Sequence, residues 1–370
     1  MVAASIQKMQ VGTVVVGKPI PFDVYDAEGR LLLNRGYVIS TQDQLDRLYE
    51  RGLFVSQNDV VAPVEVAGRK TAVFAEVPSL IEDIETTVNR VLSGESDSHR
   101  RLMGVGRRII QLSQDDPDAC LALAHSHTPQ KNICRQPLIH SLFVAMVGQQ
   151  LQWSNERLES SVKAAVIANL AYLSLQEKLN SSQTRLTHAQ RAVLRKHPEL
   201  AVESAVKAGI DDQHCLDIIH LHHESHDGSG YPRGLKEVEI REEAKILNLA
   251  ERYTAMISRR AYRERLSPEQ ARQVLAHEYQ DERLQEALAS VLTPFPPGVF
   301  VRLANEEVAV VTHRTQQPDA PRVRAIISAK GSPYHGAFLR DCRLPEFRIL
   351  YVENLRKPPL LNHVMLWGGS

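Results

Sequence analysis

Adjacent histidines run into a glycine-rich loop at residues 222–235, HHESHDGSGYPRGL. Imidazoles hold divalent ions. A loop carrying Asp227, Gly228, Gly230, Tyr231 and Pro232 beside them could form a surface for a substrate or a partner. Neighbours on one helix diverge by about 100°. His222 and His223 can therefore converge on one ion only at an unwinding helix end, which is where the glycines begin. Further donors come from distant stretches: His140, His197 and Glu251. Imidazoles and carboxylates facing one cavity suit hydrolysis of a phosphate ester. Metal ions bind the phosphate oxygens and lower the pKa of a bound water.

Plainer readings stand beside that one. His140 can be a polar residue on a core helix, and His197 can mark a kink before Pro198. The glycines can form a tight turn. His222 and His223 can be held by hydrogen bonds to Asp227 or Asn169. His214, His220 and His226 are expected to face solvent.

The donors must be placed by helices. QPLIHSLFVAMVGQQLQW repeats apolar residues at helical spacing, and SSVKAAVIANLAYLSL is apolar nearly all round, so it reads as a buried central helix. LTHAQRAVLRKHPELAVESAVKAG, DDQHCLDIIHLHHES and REEAKILNLAERYTAMISRRAYRE read as further helices. No strand–helix alternation occurs, so the fold class is mainly α, a helical bundle over residues 131–290. Residues 1–64 read as a small α+β regulatory module, with a turn at Asp26–Gly29, a helix over TQDQLDRLYERG and a closing strand at Phe54–Val55. Residues 65–130 read as a helical connector. Residues 291–370 read as a β-rich appendage with a hairpin turn at Asn305–Glu306.

The 370 residues carry 44 Lys+Arg against 44 Asp+Glu, which gives no global pull toward nucleic acid or membrane. The four cysteines (Cys120, Cys134, Cys215, Cys342) form no CxxC pair, which argues against zinc ribbons and redox motifs. No stretch approaches the roughly 18–20 apolar residues of a membrane span. The expectation is a cytoplasmic protein with no nucleic-acid partner.

Across residues 130–285 the sequence resembles the HD-GYP family of HD-domain phosphohydrolases. HHESHDGSGYPRGL fits the family pattern HHExxDGxGYPxGL at every fixed position. LTHAQRAVLRKHPELAVESA fits the helix with the histidine of "HP", and HSLFVAMVGQQL fits the first ligand helix with His140. SRRAYRE is similar to the family's "DRPYR" segment, which implies Arg260 and Arg263 as ligand or phosphate contacts. Members with a complete site are metal-dependent cyclic di-GMP phosphodiesterases.

The departures fall on the metal centre. Where the family has His-Asp-x-Gly-Lys, this chain has Ala168-Asn169-Leu170-Ala171-Tyr172. The family's last aspartate ligand is Glu251, a second aspartate is Thr254, and a glutamate used for a third metal is Gln136. An amide is a weaker, neutral ligand and takes no proton from water. The resemblance then implies a degenerate member with a vestigial or single-ion metal set, His140, His197, His222, His223 and Glu251, in which one position is lost. It holds one divalent ion (iron, manganese or zinc) or none. Its function is expected to be cyclic di-GMP binding, or docking of a diguanylate cyclase (GGDEF) domain or other signalling protein at the GYP loop, without catalysis. The alternative is a weak or active phosphodiesterase giving pGpG or GMP. A homodimer through the connector helices is a further expectation.

Overall fold

The computed structural model describes residues 6–8, 14, 17–41, 44, 54–56, 73–126, 132–173, 187–258, 265–276, 281–355, 358–359, 361 and 366–367. The chain forms two compact units, Met1–Glu76 with Phe295–Ser370, and Val77–Pro294. Among the described residues, no helix is long and apolar enough to cross a membrane.

The β-rich unit joins the two ends of the chain. Strands β1 (Ile6–Lys8), β2 (Val24–Tyr25), β3 (Leu31–Leu33) and β4 (Phe54–Ser56) form an antiparallel sheet in the order β1-β4-β2-β3. The turn between β2 and β3 is an Asp turn. Asp26 Oδ1 accepts from the Glu28 and Arg30 amides, and Gly29 takes a φ of 78°. The helix expected over TQDQLDRLYERG lies almost wholly outside the described residues. Strands β5 (Phe300–Leu303), β6 (Val308–His313), β7 (Arg322–Ile327), β8 (Pro333–Asp341) and β9 (Ile349–Val352) form a second antiparallel sheet, ordered β8-β7-β6-β5-β9. Asn305 and Glu306 make the β5–β6 turn. Ile20, Val24, Ile39 and Val55 share one core with Val301, Leu303, Val311, Val323 and Phe338. The ends of the chain, which read as separate pieces, thus supply one hydrophobic core. Buried Glu307 is neutralised by Arg340, with Tyr334 donating a third bond.

The second unit is helical: α1 (Val73–Ser93), α2 (Ser98–Asp115), α3 (Pro117–His125), α4 (Arg135–Gln150), α5 (Asn155–Ile167), α6 (His188–Lys207), α7 (Gln213–Leu221), α8 (Glu242–Ile257), α9 (Pro268–Ala276) and α10 (Glu282–Val291). Helix α4 packs against α2, α3, α5, α8 and α10, and α5 packs against α2 and α7. That placement matches their sequences, which have no polar stripe broad enough to face water. Each fully buried Leu or Ile there contributes about 1.5–3 kcal/mol. Caps fix where the helices start. Ser154 opens α5, a Thr187–Gln190 capping box opens α6, and Asp212 opens α7. Asp212 also accepts from buried Lys163 and from Ser160, which ties α5 to the start of α7. The apolar run expected as one central helix ends at Ile167, and Ala168–Tyr172 turn away from it.

Candidate metal and ligand site

The site lies where α4, α6, the end of α7 and α8 approach one another. Pro198 sits inside α6 and has no N–H, so the Leu194 carbonyl loses its helical donor. The ring of His197 takes that carbonyl instead, with Nδ1–H donating at 2.6 Å. This fixes the tautomer, because a carbonyl only accepts. The bare Nε2 of His197 then faces the site. His222 repeats the device at the end of α7. It is the C-cap residue, and its Nδ1–H donates to the Ile219 carbonyl at 2.7 Å. The helix does unwind here, so His223 turns to the same side, with its ring 4.1 Å from that of His222. Asn248 of α8 holds the His222 carbonyl at 2.7 Å.

His197, His222 and His223 each offer one nitrogen, all within 4.8 Å of one another. The Nε2 atoms of His197 and His222 stand 3.3 Å apart. With both Nδ1 atoms protonated, two lone pairs face each other, and neither ring donates. Burial lowers the pKa of both rings, His197 to about 4 and His222 to about 3, so a proton does not fill the gap at neutral pH. Burial also holds His223 well below the usual imidazole range. Neutral imidazoles with converging lone pairs are the donor set of a divalent cation, and the three residues fit one.

His140 and Glu251 complete the wall. His140 is buried on α4, with Nε2 2.9 Å from the Thr254 hydroxyl. Among the described residues its Nδ1 has no hydrogen-bond partner, and it lies 3.8 Å from Glu251 Oε1. Glu251 is also near the other imidazoles, with Oε1 3.9 Å from His222 Nε2 and Oε2 3.7 Å from His223 Nε2. Burial pushes its carboxyl up to about 8, partly offset by a hydrogen bond from the Asn169 amide. Ala168 is buried and brings no donor atom. Tyr172 lies 5.4 Å, ring to ring, from His197. Arg260 and Arg263 lie outside the described residues.

The GYP loop is held from inside. Glu224 is 2% exposed. Its two oxygens accept from the Arg233 amide at 2.6 Å and the Leu235 amide at 2.8 Å. Gly230 lies against the Glu224–Ser225 backbone, and a Cβ there would meet the Ser225 nitrogen at 2.3 Å. The Tyr231 amide donates to the His223 carbonyl at 3.0 Å, and a cis peptide joins Tyr231 to Pro232. Its ring stacks on His223 at 4.8 Å, and Arg195 lies 5.5 Å from it. Exposed Asp227 accepts from the amide and hydroxyl of Ser229, so it closes the turn rather than holding His222 or His223. His214 bonds Glu243 at 3.1 Å rather than simply facing solvent. Sequence reading passed over Glu224 and Asn248. The HHE pattern, an acid between the ligands and their loop, was the available signal for Glu224. Glu224→Gln turns an amide N–H toward a backbone N–H and loses one bond. Its expected cost is about 1–2 kcal/mol, read by urea unfolding.

A family model described as HD domain matches residues 108–288. The cyclic di-GMP phosphodiesterase PdeB of Borreliella burgdorferi is 24% identical over 198 residues, covering 51% of this chain and 52% of that protein. The cyclic di-GMP phosphodiesterase PA4108 of Pseudomonas aeruginosa is 22% identical over 217 residues, covering 58% and 52%. The chain therefore spans about half the length of these curated relatives. Among solved structures, Bd1817, a HDG"Y"P protein from Bdellovibrio bacteriovorus, aligns with a TM-score of 0.51 at 17% identity, covering 78% of this chain and 99% of that chain. That is a likeness of fold.

Proposed function

We propose that residues 108–288, which match the HD domain family model, form a domain of the HD-GYP type that binds cyclic di-GMP beside a three-histidine metal ion without cutting it. The ligand class is the one named for the two relatives, each a cyclic di-GMP phosphodiesterase. His197, His222 and His223 would hold one divalent ion, iron, manganese or zinc. When bound, that ion supplies the positive charge a phosphate seeks. Arg260 and Arg263 are the proposed side-chain partners of the phosphates. The Tyr231 ring stacks on His223 and forms one wall beside it.

The observation that carries the non-hydrolytic reading is the hydrogen bond from Asn169 to Glu251. An amide stands where a carboxylate could take a proton from an attacking water, and Ala168 offers no base beside it. A weak or active phosphodiesterase is the alternative, and pGpG or GMP would identify it. Docking of a GGDEF domain or another signalling protein at the loop is the second reading. It is favoured by Val238, 96% exposed just past the loop. The inward contacts of Glu224, Gly230 and Tyr231 account for the loop without a partner, which favours the ligand reading.

Equilibrium dialysis with cyclic di-GMP, with and without chelator, tests it. The expected result is saturable binding that weakens when the ion is removed. Absence of binding to ion-loaded protein would sink the proposal and turn attention to protein partners.

A further inference from the structure

In the second sheet of the β-rich unit, each acid that is not fully exposed already has an arginine. Glu307 is held by Arg340, Glu353 by Arg302, and both oxygens of Asp341 by Arg343. Two arginines of β7 are left over, Arg322 and Arg324. Among the described residues, no carboxylate pairs with either. Val323 and Ala325 enter the hydrophobic core, so strand alternation puts Arg322 and Arg324 together on the opposite face. Arg322 stands across from Asp341 on β8, whose carboxylate is turned to Arg343. Arg324 stands between buried Val310 on β6 and exposed Leu339 on the edge strand β8.

The Arg324 guanidinium is poorly satisfied. Its Nε is buried and has no hydrogen-bond partner among the described residues. One Nη reaches the Ala337 carbonyl at 3.5 Å, which is long for such a bond. Burial lowers its pKa, and the charge of Arg322 beside it lowers it further. A guanidinium still keeps its proton at neutral pH. The fold therefore holds two like charges side by side, one of them with a buried donor that nothing accepts. That arrangement costs stability until an anion joins it.

We infer that Arg322 and Arg324 form an anion site on the second sheet that takes a phosphate group, free or carried by a small nucleotide. Planar guanidinium forks match phosphate oxygens in pairs. A phosphate monoester carries close to two negative charges and balances both arginines, whereas a carboxylate would leave one uncompensated. Leu339, open to water beside Arg324, offers apolar contact to an organic group on the phosphate. The site belongs to the β-rich unit and uses none of the histidines, so it stands or falls apart from cyclic di-GMP binding.

The test is calorimetric titration of the full-length protein, dialysed free of metal so that the histidines hold no ion for phosphate to join. Inorganic phosphate and GMP are the two probes, at constant ionic strength with chloride as reference. Saturable binding is expected in the native protein. Arg324→Met and Arg322→Gln are each expected to weaken it by about 10- to 100-fold. Arg322 is exposed, so its variant keeps the test alive if Arg324→Met does not fold. Methionine removes an unpaired buried charge, so Arg324→Met is expected to melt at the native temperature or higher in chloride. It should also lose the rise in melting temperature that phosphate gives the native protein. Tighter binding of GMP than of phosphate would assign the organic group to Leu339, and equal binding would assign recognition to the phosphate alone. No saturable binding of either probe, or unchanged affinity in a folded Arg324→Met or Arg322→Gln, would overturn the inference.

Discussion

Asn169→Asp is expected to lower the stability of the metal-free protein by about 3 kcal/mol and to create no turnover. Asn169 now donates to Glu251, whose side chain is 12% exposed and whose carboxyl is pushed up to about 8 by desolvation. Aspartate removes that donor and brings a second carboxyl against the first. Like charges in a buried pair cannot both ionise cheaply, so one must take a proton or the site must open. A divalent ion relieves the repulsion, and much of the loss should return when manganese or zinc is added. Turnover should still be absent, because Ala168 leaves the neighbouring position without an imidazole. The double variant Ala168→His with Asn169→Asp is where turnover is expected to appear. Urea unfolding in chelator and then in metal gives the stability differences, and chromatography of cyclic di-GMP gives the turnover. A single variant as stable as the native protein without metal, or one that cuts the nucleotide, would show that Glu251 and Asn169 are not coupled in this way.

Gly230→Ala is expected to be as costly, about 3 kcal/mol, for a different reason. The added methyl would meet the Ser225 nitrogen at 2.3 Å and the Glu224 Cα at 2.5 Å. Both are backbone atoms and cannot rotate away. The loop must shift, and Tyr231 follows it off the ring of His223. Loss of stability should therefore come with weaker ion binding, measured by urea unfolding and by cobalt titration. Unchanged ion affinity in a destabilised variant would separate the loop from the metal site.

These two residues also mark what the sequence makes legible. Gly230 belongs to a contiguous motif, so its importance could be read from HHESHDGSGYPRGL alone. The unwinding at His222 and His223 was likewise forced by the 100° between neighbours. The position of Glu251 relative to three histidines was not legible. It depends on how α8 lies against the end of α7, and no local spacing encodes that. Pro198 read as a kink signal, yet its effect is to free the Leu194 carbonyl that sets the tautomer of His197. The shared core of the chain's two ends was hidden for a similar reason. Val24 and Val55 meet Val301 and Val311 across hundreds of residues, and alternation in each strand says nothing about its partner.

The central claim is that this HD domain binds and does not cut. The most direct measurement is prolonged incubation of metal-loaded protein with cyclic di-GMP at concentrations where dialysis shows binding, followed by chromatography of the nucleotide. The account predicts that cyclic di-GMP is recovered intact. Accumulation of pGpG or GMP through many turnovers would contradict it, and would mean that Glu251 and Asn169 suffice for the chemistry.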